Sequence, residues 1–167
     1  MKKMTEQTLT DALAGESQAY AKYLIFADVA REEGYANVAR LFEAIAYAER
    51  IHIRNHMEAL GTITNTVDHL KTAMGGENYE VDEMYDAFMA VANHQEEKSA
   101  ARTHRLAFEA EKSHAEAYEK ALASVESGQD ITTAEVYICP TCGYSSEDSP
   151  PERCPVCKVK GEKFLKF

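Results

Sequence analysis

Glu49-Arg50-Ile51-His52, and the same pattern again in Glu111-Lys112-Ser113-His114, decide how this chain is read. Residues three apart on a helix share one face and lie a turn apart, so each motif sets a carboxylate beside an imidazole. Both motifs interrupt apolar stripes. Leu41, Ile45, Glu49, His52 and His56 follow the spacing of one helix face, as do Ala107, Glu111, His114, Tyr118, Leu122 and Val125. Two more stripes are broken in the same way. One runs Leu9, Leu13, Glu16, Tyr20, Leu24, Ala27, and the other Ala73, Glu77, Glu80, Met84, Phe88, Val91.

An ionised glutamate in a helix-bundle core is costly unless it is paired or bound to a metal. One Glu-x-x-His is common in charged helices, and Glu49 alone could pair with Arg50 or Arg54 on a solvated face. Four stripes interrupted at similar depth fit a two-metal site instead: a Glu from each of two helices, and Glu-x-x-His from each of the other two. The predicted ligands are Glu16, Glu49, His52, Glu77, Glu80, Glu111 and His114. Two glutamates bridge, the others cap, and a histidine completes each ion. Five carboxylates against two divalent ions nearly cancel.

The other ionisable side chains carry less. His56 follows His52 by one turn, but no glutamate base lies between them, so a place at the rim of the site is expected. His69, His94 and His104 are expected on the surface. Tyr23 and Tyr85 lie near the glutamates of their helices, where they can pack or hydrogen-bond to the site.

Working outward, the spacing predicts four helices over about 5–33, 36–60, 67–93 and 95–127, with Gly34 and Gly61 as stops. Gly75-Gly76 falls inside the third and costs about 1 kcal/mol per glycine relative to alanine. All four prolines fall between Pro140 and Pro155. That shift, with the linker Ser127-Gly128-Gln129-Asp130, divides the chain into a helical domain, 1–130, and a small C-terminal domain, 131–167.

In the small domain, Cys139-Pro140-Thr141-Cys142 and Cys154-Pro155-Val156-Cys157 make two knuckles separated by eleven residues. This is the pattern of a tetrahedral thiolate site. So short a segment needs its metal to fold. Val136–Ile138 and the stretch 163–167 read as short strands. Zinc and iron both suit four thiolates. Zinc is the usual structural occupant, but a redox site upstream that needs an electron donor favours iron.

The net charge of −10 argues against nucleic acid and anionic membranes as partners. The helical part holds the whole excess, 23 acids against 13 bases, while the tail from Glu135 is neutral. The residues after Met1-Lys2-Lys3 are polar, with no signal-peptide core, and no stretch is apolar enough to span a membrane. A cytoplasmic location is expected, and with it reduced cysteines.

These residues resemble the rubrerythrins, which join a ferritin-like di-iron four-helix bundle to a rubredoxin-like domain. The likeness covers nearly the whole chain. It rests on Gly15-Glu16-Ser17-Gln18-Ala19, Ala48-Glu49-Arg50-Ile51-His52, Gly76-Glu77-Asn78-Tyr79-Glu80, Glu111-Lys112-Ser113-His114 and Cys139-Pro140-Thr141-Cys142-Gly143-Tyr144. Glu80 separates it from ferritins, which lack that carboxylate. The resemblance implies that Glu80 and His52 are alternative ligands of one iron, and that Tyr23 and Tyr85 stand by the site. It implies two irons in the bundle and one in the ribbon, and reduction of hydrogen peroxide to water. Electrons would come from a rubredoxin or a nicotinamide-dependent reductase. A homodimer or larger assembly is implied, in some members with exchanged helices. A ferroxidase with a structural metal ribbon is the alternative. One residue departs from the family: Lys158 stands where the second knuckle usually has glycine, so either the turn differs here or a non-glycine residue takes an uncommon positive φ at some strain.

Overall fold

Alanine, glutamate, leucine and lysine dominate the first part of the chain, and no proline interrupts it before Pro140. A computed structural model describes all of residues 1–167. Helix α1 spans Lys3–Glu32 and α2 spans Ala36–Leu60. Helix α3, Thr66–Tyr79, runs through a π-helical turn, Glu80–Met84, into α4, Tyr85–His94. Helix α5 spans Lys98–Glu126. The expected class is borne out: four helical rods, α3 and α4 counting as one, and then a small antiparallel sheet.

The helix stops follow backbone chemistry. Gly34 and Gly61 adopt φ of 88° and 71°. At the first, Tyr35 N–H reaches Ala30 O and Gly34 N–H reaches Arg31 O, which satisfies carbonyls the helix end leaves free. The α4–α5 turn has the same hydrogen bonds, with Glu97 N–H to Ala92 O and Glu96 N–H to Asn93 O. There Glu96 takes the left-handed position, φ 59°. No glycine marks that boundary, so the sequence shows it poorly, and α5 begins three residues later than the spacing suggests.

The molecule forms two compact units, Met1–Thr64 and Asn65–Phe167. In the first, α1 and α2 pair as a hairpin. Ala27, Ala30 and Ala39 are buried with Phe42 packed against them, and Tyr23, Phe26 and Phe42 cluster with centroids 5.6–6.2 Å apart. Leu41 and Ile45, expected on the inward stripe of α2, are instead 61% and 43% exposed. Ala39 and Ala46 are the buried residues of that helix.

In the second unit, α3 and α4 pack on α5. The stripe predicted for the third helix holds through Met84 and then breaks. Phe88 and Val91 are exposed, and Tyr85, Met89 and Ala92 turn inward. The π turn is the reason. Tyr85 N–H bonds to Glu80 O, five residues back, so one extra residue is taken up in that turn and every later position shifts by one. π turns of this kind are frequent at functional sites. Gly75 and Gly76 are exposed and nothing in the chain approaches within 4 Å of where their Cβ atoms would be.

The C-terminal ribbon orders its strands β2-β1-β3, with β1 Val136–Ile138, β2 Ser145–Glu147 and β3 Leu165–Lys166. Tyr137 pairs with Ser146 on one side and with Lys166 on the other. No helix is long and apolar enough to cross a membrane.

Candidate metal centres

Each unit builds one three-residue group from two antiparallel helices. In the hairpin, α1 supplies Glu16 and α2 supplies Glu49 and His52. His52 Nδ1 lies 3.0 Å from Glu49 Oε2 and 3.7 Å from Glu16 Oε1. In the second unit, α3 supplies Glu77 and α5 supplies Glu111 and His114. His114 Nδ1 lies 2.5 Å from Glu111 Oε2 and 3.6 Å from Glu77 Oε2. The ligand atoms of each group lie within 4.8 Å of one another. The two groups repeat one design, down to the ring nitrogen that faces the carboxylates.

The electrostatics are those of cation sites. A hydrogen bond to Glu49, then burial and the Glu49 charge, raise the Glu16 pKa against the pull of His52 and His56. Burial, then a hydrogen bond and repulsion from Glu111, raise that of Glu77. In each group the neighbouring carboxylate raises the cost of ionising its partner, a repulsion that a bound cation would relieve. Burial opposes protonation of His114, but Gly143, Glu111 and Glu77 outweigh it, and its pKa lies above the ordinary imidazole value.

Glu80 stands outside the three-residue group, although burial and the Glu77 charge raise its pKa. Burial and then Glu80, Glu111 and Glu77 push the Tyr85 phenol up, so its proton is held firmly. Tyr23 packs against Phe26 and Phe42. His56 is half-buried, near enough to Glu16 to act on its charge. His69 and His94 are exposed as expected. His104 differs from expectation: it is half-buried, with its ring 6.0 Å from Tyr85 and 5.6 Å from Phe88.

Four free thiols form the third group. Cys139 Sγ lies 3.4 Å from Cys157 Sγ, and Cys142 Sγ 3.6 Å from Cys154 Sγ. A tetrahedron with metal–sulfur bonds near 2.3 Å has edges of about 3.8 Å, so the thiols are already spaced for one ion. Burial raises the Cys142 pKa strongly. Burial also opposes ionisation of Cys154, but backbone N–H groups of Cys157 and Val156 outweigh it and lower its pKa. Lys158 does take the left-handed conformation, φ 67°.

Two features were not apparent from sequence. The Gly143 carbonyl, in the first knuckle, lies 3.0 Å from His114 Nε2. Beside it, Ser145 N–H and Oγ–H both donate to Ser113 Oγ, at 3.1 and 3.0 Å. Ser113 sits inside the Glu-x-x-His motif, so the residue that anchors the ribbon is one position from His114.

Paired Glu and Glu-x-x-His groups on helices, followed by a tetrathiolate ribbon, define a carboxylate two-metal protein with an attached mononuclear centre. Comparison with known proteins narrows the class. The rubrerythrin family model matches residues 7–122, and the rubrerythrin rubredoxin-like domain matches residues 137–165. The chain belongs to the rubrerythrin family. It is 42% identical to rubrerythrin-2 of Clostridium acetobutylicum, over 98% of this chain and 97% of that one. It is 35% identical to nigerythrin of Nitratidesulfovibrio vulgaris, over 98% and 86%. A solved structure of fully reduced, all-ferrous nigerythrin superposes with a TM-score of 0.59 at 33% identity, over 98% of this chain and 86% of that one.

Proposed function

We propose that this protein is a di-iron peroxidase that reduces hydrogen peroxide to water with electrons delivered through an iron bound by the ribbon. The observation that carries the reading is the link between the centres: the first knuckle of the tetrathiolate hydrogen-bonds through Gly143 to the outward nitrogen of His114. A purely structural ribbon has no need of that contact. The reaction is H2O2 + 2 e⁻ + 2 H⁺ → 2 H2O. Bound as a pair, two ferrous ions would supply two electrons and Lewis acidity to both peroxide oxygens.

The ligand set is Glu16, Glu49, His52, Glu77, Glu80, Glu111 and His114, with Cys139, Cys142, Cys154 and Cys157 for the ribbon iron. The chain's own part is to place and protonate. The Gly143 carbonyl accepts from Nε2–H of His114, which fixes the tautomer and leaves the Nδ1 lone pair toward Glu111 and Glu77. Tyr85, its proton held by burial and neighbouring carboxylates, is a hydrogen-bond donor beside Glu80. In the other group the donor is Tyr23, two turns along α1 from Glu16. The functional domains are 1–130 and 131–167. Unpaired thiols suit a reducing compartment, the cytoplasm.

The working form is a homodimer or larger, in which the helical hairpin of one copy completes the half-set of another. No side chain larger than cysteine is fully buried, and Leu24, Ile25, Phe26, Leu41 and Ile45 are exposed. Burying a leucine or isoleucine stabilises by about 1.5–3 kcal/mol, so such a face favours a partner. Iron analysis and visible spectra of the reduced protein before and after peroxide test the function. About three irons per chain, all reoxidised by peroxide, are expected. Helical groups that stay empty in ample iron would overturn it.

A further inference from the structure

The two knuckles of the ribbon face different surroundings. The first, Cys139 to Ser146, contains no charged residue and rests on α5. A Cβ on Gly143 would sit 3.9 Å from that of Ala110. This side of the centre is occupied. The second knuckle, Arg153-Cys154-Pro155-Val156-Cys157-Lys158-Val159-Lys160, carries three cations and no acid, and Arg153, Pro155, Lys158 and Lys160 are exposed.

These cations are placed together. Arg153 and Lys160 are bridge partners, so their side chains leave the same face. Glu152 and Glu162 line the same surface depression as Arg153 and Lys160, and Lys158 adds a third cation beside it. Lys158 Nζ donates to Pro155 O at 2.6 Å and Arg153 Nη1 to Lys158 O at 3.4 Å, and neither cation has a carboxylate partner. Lys160 has one, Glu162 at 3.5 Å, with both side chains more than 60% exposed. Lys158 holds its place at a φ of 67°, where glycine would be relaxed. In a chain of net charge −10, this surface is set against the overall field.

We propose that electrons enter the ribbon across Arg153, Lys158 and Lys160 at the second knuckle, from a small one-electron carrier protein with an acidic docking face. The inference rests on the reading that the ribbon holds a redox-active iron. The carrier loses one electron and the ferric ribbon centre gains it. No bond is made or broken and no proton is needed. The carrier is repelled by the chain at large and attracted at this edge, so encounter is steered to it. Entry and exit then lie at different knuckles, and donor docking does not displace the first knuckle from His114.

The test is stopped-flow bleaching of the oxidised ribbon in the iron-loaded full chain, with two reductants: a reduced acidic rubredoxin and the cation hexaammineruthenium(II). With rubredoxin, the second-order rate should fall as salt rises. The variant R153Q/K158Q/K160Q should slow it about tenfold and flatten the salt dependence. Hexaammineruthenium(II) should react with that variant as fast or faster. Lys158→Gly, which relaxes the turn, should slow rubredoxin alone. An unchanged rubredoxin rate in both variants would overturn the proposal, and so would parallel slowing with both reductants. A ribbon reduced in this way in a chain that leaves peroxide untouched would sink the peroxidase reading and leave the docking surface standing.

Discussion

His114 Nε2 and the carbonyl oxygen of Gly143 lie 3.0 Å apart, joining the histidine of an α5 Glu-x-x-His motif to the first knuckle of the four-cysteine ribbon. The contact is held in place by Ser145, whose two donors both reach Ser113 Oγ. A neutral hydrogen bond contributes about 1 kcal/mol net. Ser113→Ala should therefore weaken ribbon docking by about 1–2 kcal/mol, a factor of roughly five to thirty. The ribbon should keep its metal. Its reoxidation by peroxide, followed by stopped-flow absorbance, should slow by a similar factor. An unchanged rate would show that Ser113 does not hold the ribbon on α5.

Acid should act oppositely on the metal-free and metal-loaded protein. Folded-state values of Glu16, Glu77 and Glu80 lie above the ordinary 4.5, and that of His114 lies above 6.5. Groups raised on folding stabilise the native state fully below their unfolded pKa. That stability is lost as pH rises through the folded value. The metal-free protein should thus melt at a lower temperature as pH rises from about 4.5 toward neutrality. With metal bound the carboxylates must be ionised, so melting temperature should rise with pH over the same window. Two calorimetric series decide it, and parallel trends would contradict the carboxyl-pair description.

Complementation tests helix exchange. Glu49→Ala disables the hairpin group and Glu111→Ala disables the other. Neither variant alone should load its helical groups with iron in pairs. Unfolded together and refolded, they should regain intact sites in mixed dimers, seen as recovered di-iron absorbance. No recovery would mean that each chain completes its own site.

The π turn makes a separate prediction. Asp82 is exposed within it. Deleting Asp82 should restore α-helical hydrogen bonding while keeping the faces on both sides, because the turn already absorbs one extra residue. Stability should change by less than about 1.5 kcal/mol, within the ordinary range for single changes, as read by thermal denaturation. Collapse of the fold would mean that the wider turn is itself required.

Removing the ribbon metal should unfold the ribbon and spare the helices. Only Cys139, Cys154 and Gly161 are buried among its residues, so little apolar core remains without the ion. A strong chelator should abolish ribbon amide protection while far-ultraviolet dichroism stays nearly constant.

The helical class, the cysteine ribbon and both three-residue groups are legible in the residues alone. In each case the information is local: Glu49 and His52, or Glu111 and His114, meet because a helix puts i and i+3 on one face. Two knuckles likewise bring their own thiols together. The sequence could not determine where the third helix slips. An α-helical period carries Glu80 on to Phe88 and Val91, whereas the Tyr85–Glu80 hydrogen bond turns Tyr85 and Ala92 inward. Nor did it locate the turn at Glu96, where a non-glycine residue takes the left-handed conformation. That Gly143 meets His114 follows from the packing of the ribbon on α5. That contact joins residues 29 apart through a backbone carbonyl, an atom every residue has and no residue type can announce.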